Sequence, residues 1–281
     1  MDIIFILLLI IISAESYSQP MIIAHRGAMA YAPENTIAAF KLGIELCADA
    51  IELDLRQTKD KIPVALHDAT VNRTTNGNGN VLNYTLAELK KLDAGSWFNN
   101  KFNSEKIPSL QEVIDIVTDS VILIIELKEG NETYPDIEEN AISIIRENKI
   151  ESHTILKSFD PNVLERLRKL APDIPLLYVY TFRLPWLGMI IDRGITFGSI
   201  FNIDTDYLQP HRFFLSESFV KAAQSHGFKI ISWGVNSEED IIESLEYGVD
   251  GIETDYPDKV FKLVNKKSRS PMGEQSPKDS D

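Results

Sequence analysis

The chain is poor in cysteine and in basic residues. Cys47 is the single cysteine among 281 residues, which excludes an intramolecular disulfide and a thiolate zinc cage. Because Leu46 and Ala48 flank it, we predict that Cys47 is a small core residue. Lys and Arg number 28 against 42 Asp and Glu, for a formal net charge of −14. Nucleic-acid binding depends on basic patches, so this balance argues against nucleic acid as a partner.

The longest apolar run lies at the amino terminus, from Ile3 to Ile12, and small residues follow it. This run is too short to span a bilayer, which takes roughly 20 residues, but its length is typical of a secretory signal peptide. We therefore predict a signal peptide over 1–18, no stable membrane span after its removal, and a periplasmic or secreted protein. Asp2 stands where such signals usually carry positive charge, so an uncleaved anchor stays open.

The whole chain has the composition of a globular protein, with 44% hydrophobic and 25% charged residues. A single domain is predicted over 19–265, since α/β barrels of this size usually form one domain. A disordered tail is predicted over 266–281, where Ser, Pro, Lys and Asp dominate without an apolar anchor. The sequence does not indicate an oligomeric state.

Apolar segments of strand type alternate with segments of helical spacing along the chain. The eight predicted strands are 21–25, 50–55, 121–127, 154–158, 175–180, 198–202, 229–233 and 251–254. Eight strands that are mostly apolar on both faces and interleaved with helices predict a closed (β/α)8 TIM barrel. An open doubly wound sheet is the competing architecture.

A further strand-like stretch, 62–66, follows the second strand too closely for the crossover that a parallel neighbour needs. We interpret it as the returning arm of a β-hairpin extension of strand two, which turns near Asp60. Such a hairpin would bring His67 next to Asp54. Residues 69–120 contain no barrel strand pattern and predict a small insertion at the barrel mouth.

Two carboxylates mark the second strand. Side chains alternate along a strand, so Glu52 and Asp54 point to the same face. A buried pair of this kind is costly unless a positive charge lies between its members, and carboxylate oxygens are the ligands that Ca²⁺ and Mg²⁺ prefer. With Glu126 from the next barrel strand, they predict a site for one divalent cation, Ca²⁺ or Mg²⁺. The alternative is an acid pair at the rim that faces water.

Histidines and basic residues end the same group of strands, where the active sites of barrel enzymes lie. His25 and His67 suit general acid–base catalysis at neutral pH. Arg26 and Lys128 supply local positive charge for a phosphate oxyanion. The alternatives are that His25 is a satisfied strand-end histidine, that His67 is a turn residue, and that Lys128 only forms an ion pair with Glu126.

Taken in order, these stretches resemble the glycerophosphodiester phosphodiesterase family, over about residues 21–260. The matching segments are His25-Arg-Gly27, Pro33-Glu-Asn-Thr36, Glu52-Leu-Asp54, Pro63-Val-Ala-Leu-His67-Asp68, Ile125-Glu-Leu-Lys128, Ser158-Phe159, Ser232-Trp-Gly-Val-Asn236 and Gly248-Val-Asp-Gly-Ile-Glu-Thr-Asp-Tyr-Pro257. The series is specific as a whole, although no single triplet is. One departure is Gly234, where the family more often has a hydroxyl residue.

The resemblance implies a distorted TIM barrel and assigns roles to nine residues. The implied metal ligands are Glu52, Asp54 and Glu126, the implied acid–base pair is His25 and His67, the implied phosphate contacts are Arg26 and Lys128, and the implied glycerol-side residues are Trp233 and Phe159. Trp233 could instead be a packing residue. Glu34 is interpreted as a helix-start residue rather than a ligand.

The predicted function is therefore metal-dependent hydrolysis of small-molecule glycerophosphodiesters to sn-glycerol 3-phosphate and an alcohol. The attacking group is left open between water and a neighbouring hydroxyl of the substrate, as are the alcohol and the order of the two histidines. A lysophospholipase D or phosphoinositide-cleaving enzyme is the alternative, with Trp97, Phe98 and Phe102 as candidates for an apolar mouth. A glycosidase or a non-catalytic phosphate-binding barrel is a weaker one.

Overall fold

The computed structural model of the protein describes residues 19–117, 120–180 and 200–269. The predicted signal peptide over 1–18 lies outside these ranges, and so does most of the predicted tail. Within the described ranges, no helix is both long enough and apolar enough to cross a membrane.

Eight parallel strands close into a barrel, as predicted. The strands of the described ranges are β1 Met21–Ala24, β2 Ala50–Gln57, β3 Pro63–Ala65, β4 Ile122–Leu127, β5 Thr154–Ser158, β6 Leu176–Tyr180, β7 Tyr207–Pro210, β8 Lys229–Ser232 and β9 Gly251–Thr254. The order around the barrel is β1-β2-β4-β5-β6-β7-β8-β9, and β9 pairs again with β1. Closure excludes the open doubly wound sheet, and β3 is the one strand that does not belong to the ring.

One strand was predicted in the wrong place. Of the predicted strand 198–202, the part that is described, Ile200–Asn202, is a short 3₁₀ turn. The sixth strand of the ring is Tyr207–Pro210 instead, parallel to β6 and β8. Its sequence, Tyr-Leu-Gln-Pro, contains a polar residue and a proline, and a proline usually argues against a central strand.

The hairpin extension is confirmed. Strand β3 runs antiparallel to the far end of β2, with Leu55 opposite Ala65. Beyond this pairing, the backbone N–H of Leu66 donates to the carbonyl of Asp54 over 2.9 Å. The hairpin therefore delivers His67 to the carboxyl end of β2, as the turn near Asp60 predicts.

The helices begin at the polar residues that the sequence offers for this purpose. They are α1 Ile37–Glu45, α2 Leu86–Leu89, α3 Leu110–Ile114, α4 Ile137–Asn148, α5 Pro161–Leu170, α6 Glu217–Ser225, α7 Glu238–Tyr247 and α8 Pro257–Arg269. Thr36, Ser216 and Ser237 each accept a hydrogen bond from a first-turn N–H with their side-chain oxygens, which satisfies donors that the helix leaves unpaired. Helix α8 runs four residues past the predicted domain boundary at 265.

The insertion between β3 and β4 consists of turns, short 3₁₀ segments and the short helices α2 and α3, with no strand in 69–117. Both helices begin with a capping box, Thr85 with Glu88 and Ser109 with Glu112, which satisfies two orphan donors reciprocally. The predicted insertion is therefore present, and local hydrogen bonds hold its short helices.

Cys47 is exposed, so the prediction of a core cysteine is wrong. Helix α1 ends at Glu45, and Cys47 follows with a φ of 64°. A residue in this left-handed conformation turns the chain away from the helix surface that packs on the barrel. The apolar neighbours in sequence therefore did not predict burial.

Apolar side chains form two separate cores. The larger core lies between the barrel and the helices and continues into the insertion. The smaller core fills the barrel and takes residues from seven strands, namely Ile23, Ala50, Ile124, Ile155, Leu177, Val179, Tyr207 and Ile231. Gly251 leaves room for this core, because a Cβ there would lie 3.1 Å from the Ile231 side chain. Residues two positions further along each strand also point into the barrel, at its carboxyl end.

Candidate active site

Three carboxylates meet where the neighbouring strands β2 and β4 end. Glu52 and Asp54 both point into the barrel, and Asp54 lies opposite Glu126 in the parallel register. All three residues are at most 2% exposed, and one oxygen of each lies within 4.8 Å of the others. We call Glu52, Asp54 and Glu126 the acid cup. The structure brings the three predicted ligands together, buried rather than at a rim that faces water.

Two lysine ammonium groups contact the acid cup. Lys128 Nζ lies 2.8 Å from Asp54 Oδ1 and 2.6 Å from Glu126 Oε1. Lys157 Nζ lies 3.0 Å from Glu52 Oε1 and 3.3 Å from Glu126 Oε2. Lys128 therefore forms the ion pair with Glu126 that was the alternative for it, and pairs with Asp54 as well. Lys157 was not among the predicted site residues.

The ionisation of this cluster follows from its own charges. Burial would raise the pKa of Asp54, but the Lys128 ammonium and the Arg26 guanidinium hold that pKa far below its ordinary value. Burial lowers the pKa of Lys128 and of Lys157, but the surrounding carboxylates outweigh it and raise both pKa values. Asp54 and both lysines are therefore charged at neutral pH.

The donor set of the acid cup fits a hard divalent cation. Asp54 Oδ1 and Glu126 Oε1 are buried, and the Lys128 ammonium forms an ion pair with each of them without a well-aligned hydrogen bond. Buried carboxylate oxygens favour additional positive charge, and such oxygens are ligands for Ca²⁺ or Mg²⁺. Glu52, Asp54 and Glu126 are the residues that could hold such an ion.

His25 lies at the end of β1 and is held by a carboxylate. Its Nδ1 lies 2.8 Å from Asp255 Oδ1, and Asn236 Nδ2 donates to the other oxygen of Asp255 over 2.7 Å. Burial lowers the pKa of His25, but the hydrogen bond to Asp255 and the charges of Glu253 and Glu52 outweigh it and raise that pKa above its usual value. Because Asp255 engages Nδ1, Nε2 is the nitrogen left for chemistry.

His67 lies on the returning arm of the hairpin and is held in the same way. Its Nδ1 lies 2.7 Å from Asp68 Oδ1, and Arg56 Nε donates to its backbone carbonyl over 2.8 Å. Burial lowers the pKa of His67, and the positive charges of Lys128 and Arg26 lower it further, against the opposing charge of Asp54. Two imidazoles with opposite shifts of pKa therefore stand at one acid cup.

The backbone after β1 turns sharply so that Arg26 can face the acid cup. Arg26 has a φ of 50° and donates its backbone N–H to Glu52 Oε2 over 3.0 Å. Its Nε lies 3.1 Å from Asp54 Oδ2. Gly27 follows with a φ of 79°, and a Cβ there would lie 2.4 Å from the carbonyl carbon of Ala39. Only glycine fits this position, which explains the Gly of the His-Arg-Gly segment.

Glu34 and Arg73 link the two histidine loops. Glu34 is 6% exposed and accepts from Arg26 Nη1 at 2.9 Å and from both Nη atoms of Arg73 at 2.7 and 2.8 Å. Arg73 also donates to both oxygens of Asp68, at 2.8 and 3.0 Å. Glu34 is therefore more than a helix-start residue, since Arg73 ties it to the carboxylate that holds His67.

Aromatic rings line one side of the site. The Phe159 and Trp233 rings lie edge to face with centroids 6.3 Å apart, and the Lys128 ammonium lies 5.8 Å from the Phe159 ring centroid. The structure therefore places both predicted glycerol-side residues beside the acid cup. Neither belongs to the fully buried core, since both rings are only partly buried at the edge of the small core.

His211 was assigned no role from the sequence, but the structure places it against Trp233. The two rings lie edge to face, with their centroids 4.5 Å apart. Gly234 has a φ of 75°, and a Cβ there would lie 2.8 Å from His211 Nε2. A side chain at 234 would require the imidazole to shift. The left-handed backbone at this position favours glycine by itself.

The aromatic residues of the insertion pack on one another. Trp97 and Phe98 lie 5.7 Å apart, and Phe98 and Phe102 lie 5.8 Å apart, both pairs edge to face. Trp97 Nε1 donates to the carbonyl of Ala94 over 2.9 Å, and Trp97 is 40% exposed. These contacts show a local cluster of the insertion, with only Trp97 open to a further partner.

The sequence pattern assigned no role to five residues that the structure places at the site, namely Asp255, Asn236, Arg73, Lys157 and Glu253. A signal existed for Asp255, because it lies two residues after Glu253 at the end of a predicted strand and so points to the same face. Lys157 lies near the end of a strand, but its partner Glu253 comes from the opposite side of the barrel. For Arg73 there was no signal, because it lies in an irregular loop.

Comparison with known proteins gives a consistent result. A sequence model of the glycerophosphoryl diester phosphodiesterase family matches residues 25–259. The glycerophosphodiester phosphodiesterase of Caldanaerobacter subterraneus subsp. tengcongensis is 41% identical over 249 residues, which cover 88% of this chain and 98% of that protein.

Solved structures agree with this relationship. A phosphodiesterase of Oleispira antarctica in complex with the product sn-glycerol-3-phosphate superposes with a TM-score of 0.74 at 29% identity, over 88% of this chain and 97% of that one. A glycerophosphodiester phosphodiesterase of Thermotoga maritima gives a TM-score of 0.68 at 25% identity, over 88% and 99% of the two chains.

Proposed function

The chain belongs to the glycerophosphoryl diester phosphodiesterase family and is a glycerophosphodiester-hydrolysing enzyme, and from this premise we propose how its site works. The products are sn-glycerol 3-phosphate and an alcohol, the cofactor is one divalent cation, Ca²⁺ or Mg²⁺, and His25 and His67 are the acid–base pair. The observation that carries the proposal is the meeting of two carboxylate-held imidazoles at one buried acid cup.

The acid cup would hold the cation through Glu52, Asp54 and Glu126. When bound there, the ion supplies positive charge to the phosphate and lowers the pKa of the attacking hydroxyl. Arg26 and Lys128 stand beside the same carboxylates and would bind the phosphate oxygens as charge-assisted donors. Both side chains are at most 15% exposed, so these charges act in a setting where water screens them little.

Proton transfer falls to the two histidines. One imidazole removes the proton of the attacking O–H as its oxygen bonds to phosphorus, and the other donates a proton to the alcohol oxygen as the P–O bond breaks. Asp255 and Asp68 hold the Nδ1 side of each ring, which orients Nε2 for these transfers. Trp233 and Phe159 would contact the glycerol side of the substrate.

The test is glycerol 3-phosphate release from glycerophosphocholine. Turnover should disappear with EDTA and return with added Ca²⁺ or Mg²⁺. Replacing either His25 or His67 by alanine should lower kcat by about 10²–10⁴-fold, whereas His153→Ala, at the amino end of β5, should leave kcat unchanged. Normal turnover by Glu52→Ala without added metal would contradict the proposal.

A substrate with an apolar tail is the second candidate, as in a lysophospholipase D or a phosphoinositide-cleaving enzyme. Only the exposure of Trp97 favours it, because Phe98 and Phe102 pack within the insertion. Turnover on a lysolipid and on the matching deacylated diester separates the two. If Trp97→Ala lowers only lysolipid turnover, the second candidate gains support.

We also propose that the enzyme is exported, with 1–18 removed as a signal peptide. The apolar run Ile3–Ile12 supports this, and strand β1 begins only at Met21, so cleavage after residue 18 would spare the barrel. Amino-terminal sequencing of the protein recovered from the periplasm or medium tests it, and an intact Met1 in a membrane fraction would indicate an anchor instead.

A further inference from the structure

A second group of metal-type donors adjoins the acid cup and shares one residue with it. His25, Glu52 and Glu253 each offer one ligand atom, and these atoms lie within 4.8 Å of one another. Two-metal phosphoesterases use such adjoining donor sets, with ions about 3.5–4 Å apart. The arrangement raises the question of why this site should take one ion and not two.

Lys157 lies between the two donor groups. Its Nζ lies 3.0 Å from Glu52 Oε1, 2.9 and 3.2 Å from the two oxygens of Glu253, and 3.3 Å from Glu126 Oε2. Three carboxylates therefore share one ammonium. The Lys157 side chain is 3% exposed, so the ammonium has left bulk water entirely for these partners.

The second carboxylate of this group is fully engaged by protein atoms. Both oxygens of Glu253 accept from Lys157, and Gln209 Nε2 donates to Glu253 Oε2 over 2.9 Å. By contrast, Asp54 Oδ1 and Glu126 Oε1 of the acid cup form ion pairs with the Lys128 ammonium without a well-aligned hydrogen bond. The acid-cup oxygens are thus held less completely than the oxygens of Glu253, which accept well-formed hydrogen bonds.

Lys157 and Lys128 differ in position. Lys128 directly follows β4, its side chain is 12% exposed, and its ammonium pairs with Asp54 Oδ1 and Glu126 Oε1. Lys157 comes from within β5 and is covered on all sides. Because Lys128 is partly exposed, its side chain has space to move away when an ion binds. Lys157 is enclosed by three carboxylates and Gln209, so its side chain cannot move in the same way.

We propose that Lys157 is a built-in cation that occupies the second metal compartment and restricts the site to one divalent ion. This inference rests on the proposed function, because it assumes that the acid cup takes one ion. Buried carboxylates need a compensating charge, because removing one partner of a buried ion pair leaves an uncompensated charge that is strongly destabilising. A covalently attached ammonium supplies that charge at every metal concentration.

The experiment counts ions. Mn²⁺ is titrated into the EDTA-treated and desalted full chain. Isothermal titration calorimetry gives the stoichiometry, and electron paramagnetic resonance shows whether bound ions are isolated or magnetically coupled. Wild type should bind one ion per chain with an isolated Mn²⁺ spectrum. Lys157→Ala removes the ammonium and opens its space, and it should bind two ions with an exchange-coupled spectrum.

Lys157→Met is the matched control. Its side chain lacks the charge but fills the volume, so it should still bind one ion. If Lys157→Ala does not fold alone, it is refolded with Mn²⁺, since an ion that replaces the ammonium should restore the fold and remain bound as a pair. Failure to fold with Mn²⁺ present overturns the inference.

The remaining outcomes separate this inference from the proposed function. Two ions in wild type, or one in folded Lys157→Ala, overturns the role of Lys157 and leaves the cation-dependent mechanism intact. No ion in wild type overturns the proposed cation site and the present inference together. One ion in wild type and two in the alanine variant support both.

Discussion

The two halves of the barrel interior are built from the same strands but have opposite chemistry. The lower half is apolar and includes Ile23, Ala50, Ile124, Ile155, Tyr207 and Ile231. Two residues further along the same strands, the inward positions are His25, Glu52, Glu126, Lys157, Gln209 and Trp233. Because the barrel strands are parallel, one step of two residues on these six strands leads from an apolar core to a largely polar layer at one end of the barrel.

Stability and function reside in different halves of the barrel interior. Burial of apolar surface in the lower half stabilises the fold. The upper half buries carboxylates and lysines whose desolvation can exceed their mutual attraction. The barrel therefore tolerates a costly polar layer because the apolar layer beneath it and the helices around it hold the strands in place.

Asp54→Asn should produce the largest effect, a loss of activity without loss of the fold. We expect kcat/KM to fall by about 10³-fold or more, because the change removes one of the three carboxylates proposed to hold the cation, and that cation would stabilise the phosphate charge. The fold should persist, since Lys128 retains Glu126 and Arg26 retains Glu34 as partners. Kinetics and far-UV circular dichroism measure both, with Asp115→Asn on the surface as control. An Asn variant with a tenth of normal activity would contradict the assignment.

Ile124→Ala should have the opposite effect, a loss of stability with little loss of activity. This residue is fully buried in the lower half, so its truncation should cost about 2–5 kcal/mol of stability, while kcat of the folded fraction changes little. Denaturant unfolding measures the loss. Ile242→Ala is the matched control, because Ile242 is 41% exposed on α7 and should lose at most about 0.5 kcal/mol. Equal losses at both positions would show that the lower half does not carry the stability.

Arg73→Ala should lower catalytic activity, although Arg73 lies on a loop outside the barrel. Arg73 holds Asp68, which holds His67, so we expect kcat to fall by about 10–100-fold, as for other residues that orient a ligand or base. Arg73→Lys should not restore it, because lysine cannot bridge two carboxylates with a planar fork. Arg146→Ala, which breaks only an exposed pair with Asp173, should have no effect.

The pH profile gives a second measurement for Arg73. The hydrogen bonds from Arg73 lower the pKa of Asp68 strongly. Without them that pKa rises towards its usual value of about 3.9, and below it a protonated Asp68 no longer accepts from His67. The variant should therefore lose activity as pH falls through about 4, where wild type still holds Asp68 ionised. Superimposable acid limbs would mean that Arg73 acts only on structure.

Tyr31 should give the smallest effect, on stability alone. Burial and the hydrogen bond to Asp258 raise the pKa of Tyr31 from 10.0 to about 12. A raised folded-state pKa contributes stability that is fully present below the unfolded value and is lost as pH rises through the folded value. Between pH 10 and about 12, the Tm of wild type should therefore fall more steeply than that of Tyr31→Phe. Parallel curves would exclude this contribution.

The sequence predicted most of the barrel because its strands are apolar on both faces and evenly spaced. It failed at β7, where Gln209 and Pro210 interrupt the apolar pattern. Gln209 donates to Glu253 in the upper half. The polar residue that hid this strand in the sequence pattern is therefore part of the charged layer. The prediction that Cys47 is buried failed for a different reason. Its backbone conformation after α1 leaves the side chain exposed although its sequence neighbours are apolar.

The residue pattern alone puts Glu52, Asp54, Glu126 and Lys128 on inward faces, since these positions depend on strand direction and on a step of two residues. His67 also needs the hairpin, and Arg26 the turn after β1. Which charges neutralise one another follows from the closed barrel. Lys157 meets Glu253 across the barrel, Arg73 joins Glu34 to Asp68, and Asp255 meets His25 over 230 positions of sequence. Such pairs depend on closure of the ring and on loop paths, and no local pattern of residues encodes distances between strands that are far apart in the chain.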